Sequence, residues 1–367
     1  MTSSVFSALR PPKLPAPPSH GPLGDVLERC VLLTSVQMTL EEVAAASERV
    51  HLGKGLLNAE GDYNCFLNVI VQVLFQIEPF RNGVLKTQCR CDVPEFCLLC
   101  GLKSLFNDLQ GKPSSWKSLL AVDASHCRSI ISSVTREFGQ GEMGDAQEVM
   151  EHILETIHTV GTDAGDENCN PPCLSHSTFG LDLVERVVSG CKCKTPPPPS
   201  TSTRYFHLVL AADIQNVVRT HVGARPRFGQ TLFEILAADC RPCPGGCGPA
   251  VPHHLSLQSP PPVFAINIVW DSLQPSKGDI AVVVDALDTV LTLSDVFPMQ
   301  GAASFSLTSM VCFYGQHYTT LAWHEAAGMW VLFDDNRTSA VGLWGNVVDK
   351  MMKGSMLPFC LFFQKNH

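Results

Sequence analysis

One cysteine, Cys65, stands directly before an almost unbroken apolar segment in the stretch GLLNAEGDYNCFLNVIVQVLF, residues 55–75. A thiol attacks as its thiolate, and its pKa falls when it lies at a helix N-terminus or beside an imidazole. The apolar segment predicts a buried helix over Phe66–Phe75 whose amino end, at Cys65, faces a cleft. This local pattern leaves two interpretations open: Cys65 is a nucleophile, or its thiol only packs.

A base for such a nucleophile is offered by His317, in the segment YGQHYTTLAWHEAAGMWVLFDD. A glycine-bearing turn precedes one predicted strand, and a second strand ends in Asp334 and Asp335. A hairpin of this kind can bring an aspartate carboxylate beside the imidazole, where it fixes the tautomer and stabilises the imidazolium. The pattern therefore indicates Cys-His-Asp chemistry, although a lone histidine on a strand is more often structural.

The 16 cysteines favour reduced thiols and metal sites over disulfides, because the chain is long and its first residues lack the apolar stretch of a secretory signal. Closely spaced cysteine pairs supply two ligands from one turn and favour structural zinc. A first candidate ligand set is Cys89, Cys91, Cys97 and Cys100. A second set is Cys191, Cys193, Cys247 and either Cys243 or Cys240, between which the spacing does not choose. Cys173 and His176 either join a ligand set or stabilise a turn.

Composition excludes some function classes. With 45% hydrophobic and 17% charged residues, the chain can bury a large core. Its formal net charge of -9 argues against nucleic acid as the main partner, since phosphate binding needs clustered Lys and Arg. No stretch approaches the roughly 20 apolar residues that span a bilayer. We therefore expect a cytoplasmic or nuclear protein with no membrane partner.

The order of predicted elements indicates an α+β fold. Besides the helix after Cys65, helical patterns lie at Met38–Val50, around Leu102–Leu109 and at Asp145–Val160. Strand patterns then dominate, at residues 205–210, 262–270, 279–286, 306–314, 317–324, 329–335 and 356–363. Residues 161–172 and 194–203 read as loops, and the Pro-rich residues 1–23 read as a flexible tail rather than a transit peptide. A helical first half with a strand-rich second half favours an α+β domain over repeated βαβ units.

Read together, three segments resemble the ubiquitin-specific protease family of deubiquitinases, peptidase family C19. GLLN with NCFLN looks like its cysteine box, GDAQEVMEHIL like its D-A-x-E helix, and HYTTLAWHEAAGMWVLFDD like its histidine box. The form G-[acid]-Y-N-C-F-L-N and the C-x2-H-S-x-F-G segment of residues 173–180 are most similar to the divergent plant-type branch of ubiquitin carboxyl-terminal hydrolase-related proteins. The resemblance covers about residues 53–365.

The resemblance implies a papain-like fold with a helical thumb, an antiparallel palm and zinc-bearing fingers. It implies a Pro-rich extension at residues 1–52, a catalytic domain at 53–367 and a fingers insert at roughly 173–260. Cys65 would be the nucleophile, His317 the general base and acid, and Asp334 the group that orients it. The implied reaction is hydrolysis of the bond after the C-terminal glycine of ubiquitin, so the implied partners are ubiquitin and ubiquitinated proteins. By the same resemblance, Asp145, Glu148 and Tyr318 would bind the ubiquitin tail, although Asp145 also suits a helix cap.

The oxyanion position departs from the family pattern. The family asparagine that donates to the oxyanion stands five residues before the cysteine, whereas here Asn58 precedes Cys65 by seven and Glu60 occupies the fifth position. We expect Asn58 to reach the site if the loop bulges; Asn64 or the backbone N–H of Cys65 are alternatives. A carboxylate cannot stabilise a developing negative charge, and losing one donor typically costs ~10²- to 10³-fold in rate. A weak or inactive pseudoenzyme that binds ubiquitin is therefore an alternative function.

Overall fold

The computed structural model describes residues 37–366, apart from residues 49, 90, 112–120, 136–137, 140, 162–168, 170–171, 188–189, 194–196, 222, 249 and 300. Its α-helices are α1 (Leu40–Ser47), α2 (Cys65–Gln76), α3 (Glu78–Lys86), α4 (Leu98–Gln110), α5 (Ser125–Val134), α6 (Ala146–Gly161), α7 (Leu174–Phe179), α8 (Ala211–Thr220), α9 (Phe228–Ala237), α10 (Lys277–Ala286) and α11 (Trp344–Gly354). Its strands are β1 (Gly55–Leu56), β2 (Ala121–Val122), β3 (Leu181–Val187), β4 (Ser200–Arg204), β5 (His207–Leu210), β6 (Cys240–Pro242), β7 (Ala250–Leu257), β8 (Val263–Val269), β9 (Val290–Thr292), β10 (Ser304–Tyr314), β11 (His317–His324), β12 (Met329–Asp334), β13 (Arg337–Gly342) and β14 (Leu357–Lys365). The helical first half and strand-rich second half confirm the predicted α+β class.

Among these described helices, none combines the length and apolar character needed to cross a membrane. The predicted tail at residues 1–23 lies outside the described residues.

An eight-stranded sheet carries the histidine hairpin. Its strands run in the order β13, β12, β11, β10, β14, β8 and β5, with β9 added beside β10. The pairings are antiparallel except that β5 runs parallel to β8. β11 pairs with both β10 and β12, so the residue that begins β11 lies beside the end of β12. This register is what brings His317 to the carboxyl end of β12.

The helix that carries Cys65 is buried on almost every side. Each residue of α2 from Cys65 to Leu74 is buried, and the helix packs against β11, β10 and α6. The Thr320 hydroxyl of β11 donates to the Val69 carbonyl at 3.2 Å, which ties the helix to the sheet. The predicted buried helix is therefore confirmed, and it begins at the cysteine itself.

A smaller four-stranded sheet, with strand order β4, β3, β7 and β6, forms from residues 181–257. We call it the fingers sheet. All of its strand pairings are antiparallel. β6 begins at Cys240 and leads directly to Cys243 and Cys247. A two-residue parallel pair, β1 with β2, lies just before the loop that leads to Cys65.

Two predicted elements were wrong. The run DIAVVVDA, predicted as a strand from its valines, lies in α10: the Ser276 hydroxyl caps this helix by accepting from the Asp279 N–H at 3.1 Å. Ile280, Val283 and Val284 are buried with helical spacing, so tertiary packing overrides the β preference of valine. The predicted loop at 194–203 overlaps β4, an exposed strand that pairs with β3. Most of the other predicted loop, 161–172, lies outside the described residues.

Candidate active site

Cys65, His317 and Asp334 meet where the amino end of α2 faces the start of the histidine hairpin. His317 Nε2 donates to Asp334 Oδ1 at 2.7 Å, and the Cys65 thiol lies near enough to the same imidazole to raise its pKa. Since Nε2 is taken by Asp334, Nδ1 is the ring nitrogen left to face the thiol. The Cys65 residue is 3% exposed, at the first position of a helix whose leading N–H groups have no intrahelical acceptor.

The two partners change the acidity of the imidazole. The hydrogen bond to Asp334, followed by the interaction with Cys65, raises the pKa of His317 to about 10, against an opposing effect of burial. A raised pKa in the folded protein means that this pairing stabilises the fold below pH about 6.5 and that the stabilisation is lost as the pH passes about 10. The imidazolium of His317 is therefore the resting form near neutral pH.

The Asp334→Asn variant tests this electrostatic assignment. Without the carboxylate, the pKa of His317 is expected to fall by about 1–3 units, because an opposite charge at this distance supports the cation by that amount. The alkaline limb of the pH profile of thiol alkylation should move to lower pH by a similar interval. The profile is measured with a small alkylating reagent between pH 5 and 11. Asp271→Asn, at an exposed aspartate, is the matched control, and an alkaline limb that does not move in Asp334→Asn contradicts the assignment.

A second aspartate, Asp335, fastens the loop before Cys65 to the histidine hairpin. Its two carboxylate oxygens accept from Asn68 Nδ2 at 2.8 Å and from Asn58 Nδ2 at 2.7 Å, and its carbonyl accepts from the Leu56 N–H at 2.9 Å. Its φ of 49° is left-handed. A Cβ on Gly55 would lie 2.3 Å from the Asp335 carbonyl oxygen, so only glycine permits this approach. Asp335 thus holds the two halves of the site in register.

The lengthened loop before the cysteine, residues 57–64, is closed by its own side chains. We call it the pre-cysteine loop. Asn58 Oδ1 accepts from the Asn64 N–H at 2.8 Å while its Nδ2 donates to Asp335. Tyr63 takes a left-handed φ of 52° just before Asn64. The side chain to which the family resemblance gives the oxyanion role is therefore engaged in holding the loop.

A buried cation, Arg128 of α5, braces the same loop from the other side. Its guanidinium donates to the Asp62 carbonyl and to Asn64 Oδ1, the latter at 2.6 Å. It also donates to the carbonyls of Gly139, at 2.5 Å, and Glu142, at 2.6 Å. Burial lowers the pKa of Arg128, and the negative charges of Asp62 and Cys65 oppose that shift. Sequence reasoning missed this residue, since nothing local to Arg128 announces contacts 64 and 66 positions away.

The acids of the D-A-x-E segment lie at the start of α6. Asp145 Oδ1 accepts from the N–H groups of Gln147 at 2.7 Å and Glu148 at 3.2 Å, so the helix-cap alternative is present. Its other oxygen accepts from the Tyr318 hydroxyl at 3.4 Å, and burial raises the pKa of that phenol. Asp145 and Tyr318 are thus brought together, one residue along β11 from His317.

A cleft runs along α6 between the helical half and β5. It has a volume of about 570 Å³, and the acids Glu148, Glu151 and Glu155 line one wall. Tyr205 and Leu208 add apolar surface to it. This combination suits an extended basic peptide, because carboxylates accept charge-assisted hydrogen bonds from arginine and from peptide N–H groups.

Three groups of potential metal ligands lie apart from the triad. Cys89, Cys91, Cys97 and Cys100 form the first, and Cys191, Cys193, Cys243 and Cys247 form the second; within each, all sulfur atoms lie within 4.8 Å of one another. The Cys89–Cys97 and Cys191–Cys243 sulfurs are 3.2 and 3.5 Å apart, too long for a disulfide and near the ~3.8 Å edge of a tetrahedral ZnS₄ site. The exposed Cys240 is not in the second group, so the open choice goes to Cys243.

The third group joins Cys173 and His176 to two residues that the sequence analysis did not connect with them. These are His158, near the end of α6, and Cys169. The Cys169 sulfur lies 3.0 Å from His176 Nδ1, and the Cys173 sulfur lies 3.5 Å from His158 Nδ1. The His176 N–H points to the Cys173 sulfur at 3.4 Å, which is the way a turn supports a thiolate ligand. Of the two open readings of Cys173 and His176, this geometry favours membership of a ligand set.

Comparisons with known proteins agree with this geometry. A family model described as ubiquitin carboxyl-terminal hydrolase matches residues 54–357. Human ubiquitin carboxyl-terminal hydrolase 53 is 30% identical over 323 residues, which cover 84% of this chain and 30% of that protein. Mouse hydrolase 54 is 30% identical over 327 residues, covering 84% and 20% respectively. Arabidopsis thaliana hydrolase 23 is 26% identical over 313 residues, covering 79% and 34%, so these relatives support the family rather than its plant-type branch.

Solved structures show the same fold. The SAGA DUB module of Ubp8, Sgf11, Sus1 and Sgf73 bound to monoubiquitin matches with a TM-score of 0.62 at 15% identity, over 94% of this chain and 74% of that one. The module bound to ubiquitin aldehyde matches with a TM-score of 0.60 at 14% identity, over 94% and 74%. The chain spans about a third or less of the length of the curated relatives named above. Its family model, its fold and its sequence relatives agree: the chain belongs to the ubiquitin carboxyl-terminal hydrolase family.

Proposed function

We propose that the chain is a thiol-dependent deubiquitinase that hydrolyses the peptide or isopeptide bond after the C-terminal glycine of ubiquitin. The observation that carries the proposal is the assembly of Cys65, His317 and Asp334, in which His317 is hydrogen-bonded to Asp334 and the Cys65 thiol acts on the same imidazole. A nucleophile beside a base that a third group orients is the arrangement that acyl transfer requires. We further propose residues 53–367 as the catalytic domain, 173–260 as its fingers region and 1–52 as an extension.

The side chains account for each proton in the reaction. The Cys65 sulfur bonds to the glycine carbonyl carbon, and the carbonyl electron pair moves to oxygen. When that pair returns, the carbon–nitrogen bond breaks and the leaving lysine amine takes a proton from His317. Water then attacks the thioester, gives its proton to His317, and releases the ubiquitin carboxyl group and the Cys65 thiolate.

Ubiquitin as the substrate is supported by the acidic cleft beside α6. Glu148 lines this cleft, and Asp145, three residues before it, accepts from Tyr318, the neighbour of His317 on β11. We propose that an extended tail follows these side chains to Cys65. The relatives solved with monoubiquitin and with ubiquitin aldehyde share this fold, which supports the same ligand here.

Zinc is the metal that the three ligand groups fit best. Thiolate and imidazole donors in sets of four suit tetrahedral zinc, which would cross-link the segments that carry them. We therefore propose a structural zinc in each group. None of the three contains the triad, so zinc would act on stability and not in the reaction.

The test is an electrophile placed on ubiquitin. Ubiquitin that carries a thiol-reactive group at its C-terminus is incubated with the purified chain, and the adduct is digested and mapped by mass spectrometry. We expect one ubiquitin per chain, on the peptide that contains Cys65. Free ubiquitin without the electrophile is the control, and an adduct spread over other cysteines contradicts the proposal.

The alternative is a pseudoenzyme that binds ubiquitin without cleaving it. It is favoured by one observation, the engagement of the Asn58 amide with Asp335 and Asn64. A chain that binds ubiquitin with a measurable Kd yet forms no adduct and releases no product would support this alternative.

A further inference from the structure

The attack by Cys65 creates a negative charge on the glycine carbonyl oxygen, and two hydrogen-bond donors are usually aimed at such an oxygen. The backbone N–H of Cys65, at the first position of α2, is one candidate because it has no acceptor within the helix. Asn58 is poorly placed as the second, since its amide is held between Asp335 and the Asn64 N–H. This anchoring of the Asn58 amide favours a different side chain as the second donor.

Asn64, directly before the nucleophile, has its amide oriented by Arg128. A guanidinium can only donate hydrogen bonds, so the atom of Asn64 that lies 2.6 Å from Arg128 Nη1 must be the carbonyl oxygen Oδ1. The amide nitrogen Nδ2 is thereby turned to the opposite side. Within the described part of the chain, Asn64 Nδ2 donates to no other group, and it is not among the fully buried polar atoms that lack a partner.

Arg128 also fixes the backbone on which Asn64 stands. The same guanidinium holds the Asp62 carbonyl on one side and the Gly139 and Glu142 carbonyls on the other. Its plane lies over the Phe66 ring, 5.2 Å from the centroid, so the second residue of α2 is part of the same assembly. Movement of Asn64 would require several of these hydrogen bonds to break together.

We propose that the Asn64 side-chain amide is the second oxyanion donor and that Arg128 is the positioning residue that presents it. The inference rests on the proposed function, because it assigns a role in the same hydrolysis. An N–H of Asn64 Nδ2 and the backbone N–H of Cys65 donate to the oxygen that carries the electron pair after sulfur attack, and both hydrogen bonds weaken when the carbonyl re-forms. Asn64 thus replaces a donor that the longer loop has engaged elsewhere.

Two reactions of the same thiol separate this role from others. Hydrolysis of ubiquitin linked to a fluorescent amine passes through the oxyanion, whereas alkylation of Cys65 by ubiquitin with a C-terminal alkyne forms a carbon–sulfur bond without one. For Asn64→Ala we expect kcat for hydrolysis to fall by about 10²- to 10³-fold, with KM and the alkylation rate within about threefold of the wild type. Asn64→Asp keeps an oxygen for Arg128 and removes the donor, so its hydrolysis should fall at least as far. Asn107→Ala, at an exposed asparagine of α4, is the matched control.

Arg128 is tested through a double-mutant cycle. Arg128→Lys cannot reproduce the forked hydrogen bonds, so kcat should fall by about tenfold or more while the alkylation rate changes less. Added to Asn64→Ala, it should lower kcat by much less than it does alone, because it acts through the residue already removed. Thermal melting of each variant shows whether it folds.

Each result decides a separate point. If Asn64→Ala and Asn64→Asp both hydrolyse at the wild-type rate, the donor role is overturned while the proposed function stands. If hydrolysis and alkylation fall together, Asn64 supports the thiol and not the oxyanion, and the inference is again overturned. If the wild-type chain neither hydrolyses nor alkylates, the proposed function fails and the inference fails with it.

Discussion

Replacing Cys65 with serine is expected to lower kcat/KM for ubiquitin hydrolysis by about 10⁴- to 10⁶-fold, the scale on which removal of a covalent nucleophile acts. A serine hydroxyl is far less acidic than a thiol, and a His317 protonated beside Asp334 has no free lone pair with which to take the hydroxyl proton. Ubiquitin affinity should persist, since the acids of the cleft are untouched. Hydrolysis is followed by fluorescence and affinity by calorimetry on the same preparation.

The matched control for this change is Cys240→Ser. Cys240 is exposed and stands outside the three ligand groups, so the same substitution there should leave kcat/KM within about twofold. Full activity in Cys65→Ser would place the nucleophile elsewhere. Equal inactivity of the wild type and the variant, with equal affinity for ubiquitin, would favour the pseudoenzyme.

The chemistry-bearing residues could be predicted because their signals are local. Cys65 stands at the junction of a Gly- and Asn-rich loop with an apolar helix, and both partners of the triad lie within one hairpin, His317 at its start and Asp334 at the end of its second strand. The register between β11 and β12 then closes the distance to 2.7 Å. Their catalytic roles remain predictions that the experiments above test.

What positions these residues could not be predicted, because it depends on contacts between distant segments. In the sequence, Arg128 is an ordinary arginine of an amphipathic helix. Only the fold places it in contact with Asp62 and Asn64 of the pre-cysteine loop. Asp335 could be seen as the second acid of a pair, but its bonds to Asn58 and Asn68 follow from the packing of β1 against the hairpin. Both roles were missed because the contacting residues are far apart in the sequence.

The wrong prediction of a strand at α10 has a different cause, because here the local sequence preference was itself misleading. Its three consecutive valines favour a strand by local preference, yet Ser276 supplies a helix cap and two of the valines share a buried face. Local preference for strand is weak compared with the burial of such a face. The sequence analysis also missed two members of the third ligand group. His158 lies near the end of α6 and Cys169 lies eight residues after Gly161, so the fold, and not a local spacing pattern, brings them to Cys173 and His176.

Removal of the metal is expected to have the largest effect on stability. Metal analysis of the purified chain should give three zinc per chain, and an excess of chelator should lower Tm by at least roughly 10 °C. Structural zinc sites contribute several kcal/mol to folding, and each kcal/mol shifts the Tm of a domain of about 150–250 residues by about 2–4 °C. The first group should matter most, because Cys97 is buried in the main core at the start of α4.

Single-ligand variants assign the effect to each group. Cys97→Ser, Cys173→Ser and Cys243→Ser should each bind two zinc instead of three, whereas Cys240→Ser should keep all three. Zinc is counted by mass spectrometry of the native protein, and Tm is measured in parallel. A metal-free chain that melts at the same temperature with and without chelator would contradict the zinc proposal. A count of two in the wild type, unchanged in Cys173→Ser, would remove the third group alone.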